Sequence, residues 1–417
     1  MRKFNKFIFY FLLASLTFVG CNKDEESEPE QPRTPTTGEF RGVITEKVLH
    51  AIDIADAFCE QVPEMESNKQ LLLMVLKDIN YATIRYTTTG MDGTIVEASG
   101  VVAYCTTTKS YDHILSIQHG TTDIAEAPTL VGFPIELSPV MKGEVTIMAD
   151  YLGYGVSQTS DLQHPYLHVD LTGKTCADMI EAAEQYLATK QGLEKTGDGI
   201  KLMGYSQGGA ATVATLLELE HRGMENRIVD VLAGGGPYNT ITYLNTFTAD
   251  PDMQYNRNGF IPFFIRGMIC GEHLDVEDSN VYAPEVIENG YNLLFNSTQL
   301  TYWHTLLGLN VNEVLHPDFY APDYNNNEDI LKLIAAARKN SLVNYAMPST
   351  PIHLYHSPLD NTVPYACSVE LHERWSNTTL TDLESDQHFK GGIEFMAQYM
   401  GIWPLLKDFI KDLDFSK

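Results

Sequence analysis

The sequence predicts an α/β fold, with a mostly parallel central sheet flanked by helices and a largely helical insertion. Short apolar runs recur along the chain, each leading into a polar loop and several into a helix-like segment, the pattern of parallel strands with crossover connections. Between residues 237 and 350 that rhythm stops and helical patterns take over without a convincing strand, over a stretch too long for a simple loop. At 417 residues, 44% hydrophobic and 20% charged, the composition is globular and the length suits one large domain with an insertion or two domains.

Residues 1–20 read as an address rather than as structure. "MRKFNK" carries three positive charges, "FIFYFLLASLTFV" is apolar, and Gly20 precedes Cys21. The apolar run is shorter than the roughly 20 residues a membrane-spanning helix needs, so a cleaved signal is expected. Its ending, "TFVGC", resembles the lipobox of bacterial lipoproteins, which implies lipidation of Cys21. Residues 21–40 are acidic and proline-rich with almost nothing apolar, and are expected to form a solvated tether. The start "NKDEE" resembles the surface-export signal of Bacteroidetes lipoproteins. That resemblance implies an outward-facing outer-membrane anchor, with Cys21 the only membrane contact.

The core is expected over residues 41–236 and 351–417, on either side of the insertion at 237–350. "TEKVLHAIDIADAFCEQV" places Val48, Ile52, Ala55 and Cys59 on one helical face, with Thr45 as N-cap. "ATIRYTTTGMDGTIVEASGVVAY" reads as two β-branched strands about a turn at Gly90 to Gly93, pairing antiparallel at a sheet edge. The runs "HILSIQ", "VTIMA", "GIKLM", "RIVDVLA", "PIHLY" and the weaker "NTTLTDL" then read as strands. They lead into "HGTTD", "DYLGYG", "GYSQGG", "GGGPYN", "HSPLD" and "ESDQH". Loops at the carboxyl ends of parallel strands converge on one sheet edge, where ligands bind. Within the insertion, "YWHTLLGLNVNEVL" and "NEDILKLIAAARKNSLVNYA" look helical and "PDYNNN" looks like loop.

A formal charge of −27 repels polyanions, so nucleic acid is not an expected partner. Beyond Cys21 the cysteines are Cys59, Cys105, Cys176, Cys270 and Cys367, with no C-x-x-C pair and no clustered histidines. No metal or cofactor is expected, and the odd count permits up to two disulfides and one free thiol.

Gly204-Tyr205-Ser206-Gln207-Gly208 matches G-x-S-x-G, lying between the strand-like "GIKLM" and the helix-like "AATVATLLELE". Such a sharp strand-to-helix turn needs residues nearly without side chains two before and two after the serine. A serine hydroxyl is a weak nucleophile that needs a base, and the base needs an orienting carboxylate. Asp360, in the loop after "PIHLY", is the expected acid, with helix capping near Val363 as the structural alternative; Asp382, Glu384 and Asp386 are its rivals. His388 is the expected base, with His353, His356 and His372 as rivals. For the tetrahedral oxyanion the expected backbone donors are Gln207, at the start of the helix, and Thr121 in "QHGTTD", with Gly120 as the other choice. His119 is expected to shape that loop, and Asp150 and Tyr151 to make structural hydrogen bonds at the same edge.

Together "QHGT", "DYLGYG", "GYSQGG", "TPIHLYHSPLDNTVPY" and "SDQH" resemble the α/β-hydrolase superfamily, specifically its secretory-lipase-like branch of esterases, over about residues 80 to 400. The resemblance implies the α/β-hydrolase fold, a triad of Ser206, Asp360 and His388 under a helical cap, and hydrolysis of carboxylic esters through an acyl-enzyme without cofactor or metal. Substrates would be small-molecule or glycan-linked esters. Other readings are a carbohydrate esterase removing acetyl or feruloyl groups from plant glycans, a serine peptidase, and a non-catalytic surface binding protein on the same scaffold. Ser357 stands where glycine is common in the H-G-x-x-D pattern.

Overall fold

In the computed structural model, residues 36–61, 66–67, 69–158, 164–255, 257–288 and 310–411 are described. The signal segment, Cys21 and the tether up to residue 35 lie outside the described residues, as do residues 302–309 of the first insertion helix expected above.

The strands are β1 (Phe40–Leu49), β2 (Ile79–Thr89), β3 (Ile95–Cys105), β4 (Ser110–Gln118), β5 (Val145–Ala149), β6 (Glu194–Tyr205), β7 (Ile228–Gly234), β8 (Ile352–His356) and β9 (Thr378–Asp382). They form one sheet in the order β1-β2-β3-β5-β4-β6-β7-β8-β9. The pairs β1–β2, β2–β3 and β3–β5 are antiparallel, and every pair from β5 to β9 is parallel. Parallel strands are covered on both faces, which is why they read as unbroken apolar runs rather than as alternation. In β4, for example, Ile114 joins the core on one face while Leu115 and Ile117 join the core on the other.

The helices are α1 (Ala51–Gln61), α2 (Lys69–Val75), α3 (Val169–Leu187), α4 (Gln207–His221), α5 (Thr240–Thr248), α6 (Phe260–Gly271), α7 (Pro284–Glu288), α8 (Glu328–Lys339), α9 (Ala366–Arg374), α10 (His388–Met400) and α11 (Trp403–Lys411). α3 and α4 share the first core cluster with Ile147 and Leu202, whereas Met148, Met203, Leu232 and Phe395 of α10 belong to the second. Between β7 and β8 run α5 to α8 and several 3-10 turns, and buried residues of α5, α6 and α8 join the same cluster as α3 and α4. Asn327 starts α8 by accepting from the N–H groups of Asp329 and Ile330. "PDYNNN" is irregular, with left-handed backbone at Asp323 through Asn326.

Three sequence expectations need correction. The first helix starts at Ala51, because Thr45 and Val48 lie in β1, where Thr45 pairs with Thr83 of β2. The β2–β3 pair is not at the sheet edge, since β1 covers β2. Asn310–Leu315 is not part of a helix over its described residues: it forms a 3-10 turn and two isolated bridges, to Gln254 and Tyr282.

Candidate active site

β4 pairs with β5 on one side and β6 on the other. Chain connections diverge there, and the loops following β4 and β6 open at the same sheet edge, the switch point where ligands bind in such sheets. Ser206 sits at this edge, between the end of β6 and the first residue of α4, with φ 63° and ψ −126°. A non-glycine residue holds such a backbone only when its surroundings enforce it. Ser206 N–H donates to the Gly234 carbonyl at 2.9 Å, and its own carbonyl accepts from Gly209 at 2.9 Å. A methyl group at Gly204 would meet the Gly208 and Gln118 carbonyls, and one at Gly208 would run into the Gln118 carbonyl from β4. Those two glycines let neighbouring backbones close around the serine.

Asp360 lies in the loop after β8. Its Oδ1 accepts from the Thr362 and Val363 N–H groups at 2.8 Å each, and its Oδ2 accepts from His388 Nδ1 at 2.6 Å. The carboxylate therefore serves the turn with one oxygen and the imidazole with the other. His388, the first residue of α10, faces Ser206 Oγ with Nε2 at 2.8 Å, and its N–H donates to Asn361 Oδ1 at 3.2 Å. The structure thus brings Ser206, His388 and Asp360 into one hydrogen-bonded chain. Burial alone would raise the Asp360 pKa, but the charge of His388 and the hydrogen bonds from His356 and His388 hold it well below the usual carboxylate range.

Most of the rivals are engaged elsewhere. Asp382 accepts from the Tyr365 hydroxyl, Asp386 pairs with Lys390 at 3.1 Å, and the backbone of Glu384 donates to Glu394. His353 Nδ1 meets Thr379 Oγ1 at 3.0 Å and His372 Nδ1 meets Thr378 Oγ1 at 2.7 Å. His356 does reach the site, but at Asp360 rather than at Ser206. Ser357, the departure from glycine, is used: its hydroxyl donates to the Ser385 carbonyl, tying the loop of Asp360 to the loop of His388.

Gln207, as the first residue of α4, presents an N–H that has no partner within its own helix. Gly120 lies beside Ser206, since a Cβ on it would stand 4.0 Å from Ser206 Cβ. Next to it, the Thr121 hydroxyl meets the Tyr166 hydroxyl at 2.7 Å. His119 holds this loop from below, with Nδ1 2.7 Å from the Gly120 carbonyl and its ring stacked on Tyr151 at 4.0 Å. Burial lowers the His119 pKa to about 4 and keeps it neutral. Asp150 accepts from Ser99 and Thr129, and the Tyr151 hydroxyl donates to the His119 carbonyl at 3.0 Å.

Two contributors had no sequence signal. His164 Nδ1 donates to the Leu152 carbonyl at 2.8 Å, so its Nε2 accepts from the Gln207 side-chain amide at 2.7 Å. Burial pulls the His164 pKa down to about 3, which keeps that acceptor available. Glu394 of α10 gathers the N–H groups of Glu384 and Ser385 just ahead of His388. Among the described residues no group of three or more histidines, cysteines or carboxylates is placed to hold a metal ion, and the five described cysteines are free thiols. No described helix is long and apolar enough to cross a membrane.

Residues 137–398, more than half of the chain, match the family model of secretory lipases. Among solved structures, the rice cell wall degrading esterase LipA from Xanthomonas oryzae is similar with a TM-score of 0.69 at 22% identity, over 90% of this chain and 99% of that one. Candida antarctica lipase A in its closed state gives a TM-score of 0.58 at 15% identity, over 91% of this chain and 84% of that one. At these identities the likeness is one of fold. No curated protein matches the sequence.

Proposed function

Because the chain belongs to the secretory lipase family, and is with it a carboxylic ester hydrolase, we propose that it acts through a covalent acyl-enzyme formed on Ser206. One observation carries this: Ser206 Oγ, His388 and Asp360 Oδ2 stand in line at 2.8 Å and 2.6 Å, the order a nucleophile, its base and an orienting acid require. As Ser206 Oγ attacks the ester carbonyl carbon, His388 Nε2 takes its proton, and Asp360 holds the ring and faces the imidazolium. The proton then passes to the leaving alcohol oxygen as the C–O bond breaks. Water attacks the acyl carbon by the same route, with His388 taking its proton and returning it to Ser206 as the acid leaves.

The N–H groups of Gln207 and Thr121, with Gly120 as the other candidate for the second position, face the oxyanion, each worth on the order of 3 kcal/mol in the transition state. Residues 237–350 act as a helical cap over the acyl pocket. The likeness in fold to a cell wall degrading esterase supports glycan-linked esters as substrates beside simple ones. Cys21, lipidated, anchors the enzyme at the outer surface of the outer membrane; Cys21→Ala should move it from the membrane to the soluble fraction.

The test is Ser206→Ala, expected to lower kcat on p-nitrophenyl esters by on the order of 10⁶ while the folded protein loses labelling by a fluorophosphonate. Retention of a tenth of the activity would refute the acyl-enzyme. Run on acyl chains of two to sixteen carbons, acetylated xylan and methyl ferulate, the same assay sorts lipid from glycan esters. A preference for the longest chains would remove the glycan reading.

A further inference from the structure

His356 closes β8 and is fully buried, yet the steps above leave it without a role. Its Nε2 lies 3.1 Å from Asp360 Oδ2 and 3.2 Å from the Val363 carbonyl oxygen, and its Nδ1 lies 2.7 Å from Ser368 Oγ. Both neighbours of Nε2 are acceptors, so that nitrogen carries the hydrogen, and in a neutral ring Nδ1 accepts from the Ser368 hydroxyl. A neutral imidazole satisfies every one of these contacts. Asp360 then has a donor for each of its four lone-pair directions: the Thr362 and Val363 N–H groups on Oδ1, and the imidazoles of His388 and His356 on Oδ2. Its side chain has no exposure, so these donors stand where water would otherwise be needed.

Resting on the triad proposed above, we propose that His356 is a positioning residue, whose Nε2–H holds Asp360 Oδ2 toward His388 and so sets the direction in which His388 faces Ser206. The backbone donors fix one oxygen of the carboxylate, and the two imidazoles fix the other. A cation in its place would cancel the charge that Asp360 offers to the imidazolium of His388, whereas a neutral N–H orients the carboxylate and leaves that charge in place. Ser368 belongs to the same device, because its hydroxyl bonds Nδ1 and so holds the His356 ring in place.

The full chain and a p-nitrophenyl ester serve for the test, with kcat and KM measured separately and thermal unfolding followed in parallel. His356→Phe keeps a ring but removes the donor, and is expected to lower kcat about tenfold with KM nearly unchanged, the kinetic equivalent of one such hydrogen bond. His356→Gln restores an N–H near the position of Nε2 and should recover most of that loss. If His356→Phe melts earlier but keeps the wild-type kcat, the histidine only fills space and the proposal fails. Should His356→Phe not fold, Ser368→Ala decides, with an expected fall in kcat of about threefold at constant KM, and an unchanged kcat overturning the idea. Ser206→Ala separates the two levels of inference. If it remains active, the triad itself is wrong; if it is dead beside a fully active His356→Phe, only the positioning role is lost.

Discussion

Ser206 and His388 face each other across 2.8 Å, yet the protein holds them by opposite means. On the serine side the restraint is backbone: a left-handed φ, an N–H on the Gly234 carbonyl, and two glycines that admit the Gln118 strand end. On the imidazole side it is side chains: Ser357 bonds the Ser385 carbonyl, Asn361 takes the His388 N–H, His356 meets Asp360, and Glu394 gathers the backbone ahead of His388. A backbone-built site tolerates no added atoms. A side-chain-built site tolerates volume better but depends on charge and on every donor finding its acceptor.

Gly208 is the most sensitive position on the serine side. A single added methyl there meets the Gln118 carbonyl, which is part of the β4–β6 ladder and cannot turn aside. Gly208→Ala is expected to cost on the order of 4 kcal/mol or more, read as a large drop in the urea midpoint or as loss of soluble protein. A variant of wild-type stability would show that the elbow is held loosely.

The same difference explains what the sequence discloses. Backbone geometry imposes fixed spacing, so Ser206 stands out through Gly204 and Gly208, and β4 to β7 stand out because their apolar runs are covered on both faces. Asp360 and His388 are found through chain order and loop position rather than through any spacing rule. His164, Glu394 and the partnership of His356 with Asp360 leave no local trace, since each depends on which loops the fold brings together. β1 was hidden for another reason. It is mostly exposed and held by backbone pairing to β2, so it carries no apolar periodicity, and the apolar pattern that follows it moves the expected helix start forward to Thr45.

Acid acts on the imidazole side. Glu144 joins His113 of β4 at 3.2 Å, Lys201 of β6 at 2.8 Å and the Tyr399 hydroxyl of α10 at 2.6 Å, so it ties the helix of His388 to the sheet. Burial alone would raise its pKa, but these three partners bring it to about 2. A folded pKa below the unfolded value of roughly 4.3 means stability that is present above that value and lost as pH falls toward 2. Asp360 shifts in the same direction. Wild-type protein should therefore lose up to about 3 kcal/mol through Glu144 between pH 6 and pH 2, and Glu144→Gln should flatten that slope in urea titrations. Parallel profiles for the two proteins would mean that α10 is not held by this charge.

The smallest expected effect tests the imidazole side most directly. Glu394 is fully buried on α10. One of its oxygens accepts from the Glu384 N–H at 3.0 Å and the Gln398 amide at 2.9 Å, the other from the Ser385 N–H at 2.9 Å and the Ser385 hydroxyl at 2.6 Å. Glutamine keeps the shape but has one carbonyl oxygen, so either orientation turns an NH₂ group toward a backbone N–H that needs an acceptor. Glu394→Gln is expected to cost about 1–2 kcal/mol, the usual penalty for a buried donor left unpaired. The loss should fall on the Ser385 segment that leads to His388, so kcat and fluorophosphonate labelling of Ser206 should slow together while KM holds. If stability falls and labelling does not, Asn361 and Asp360 suffice to place the imidazole, and the side-chain network beyond them serves the fold alone.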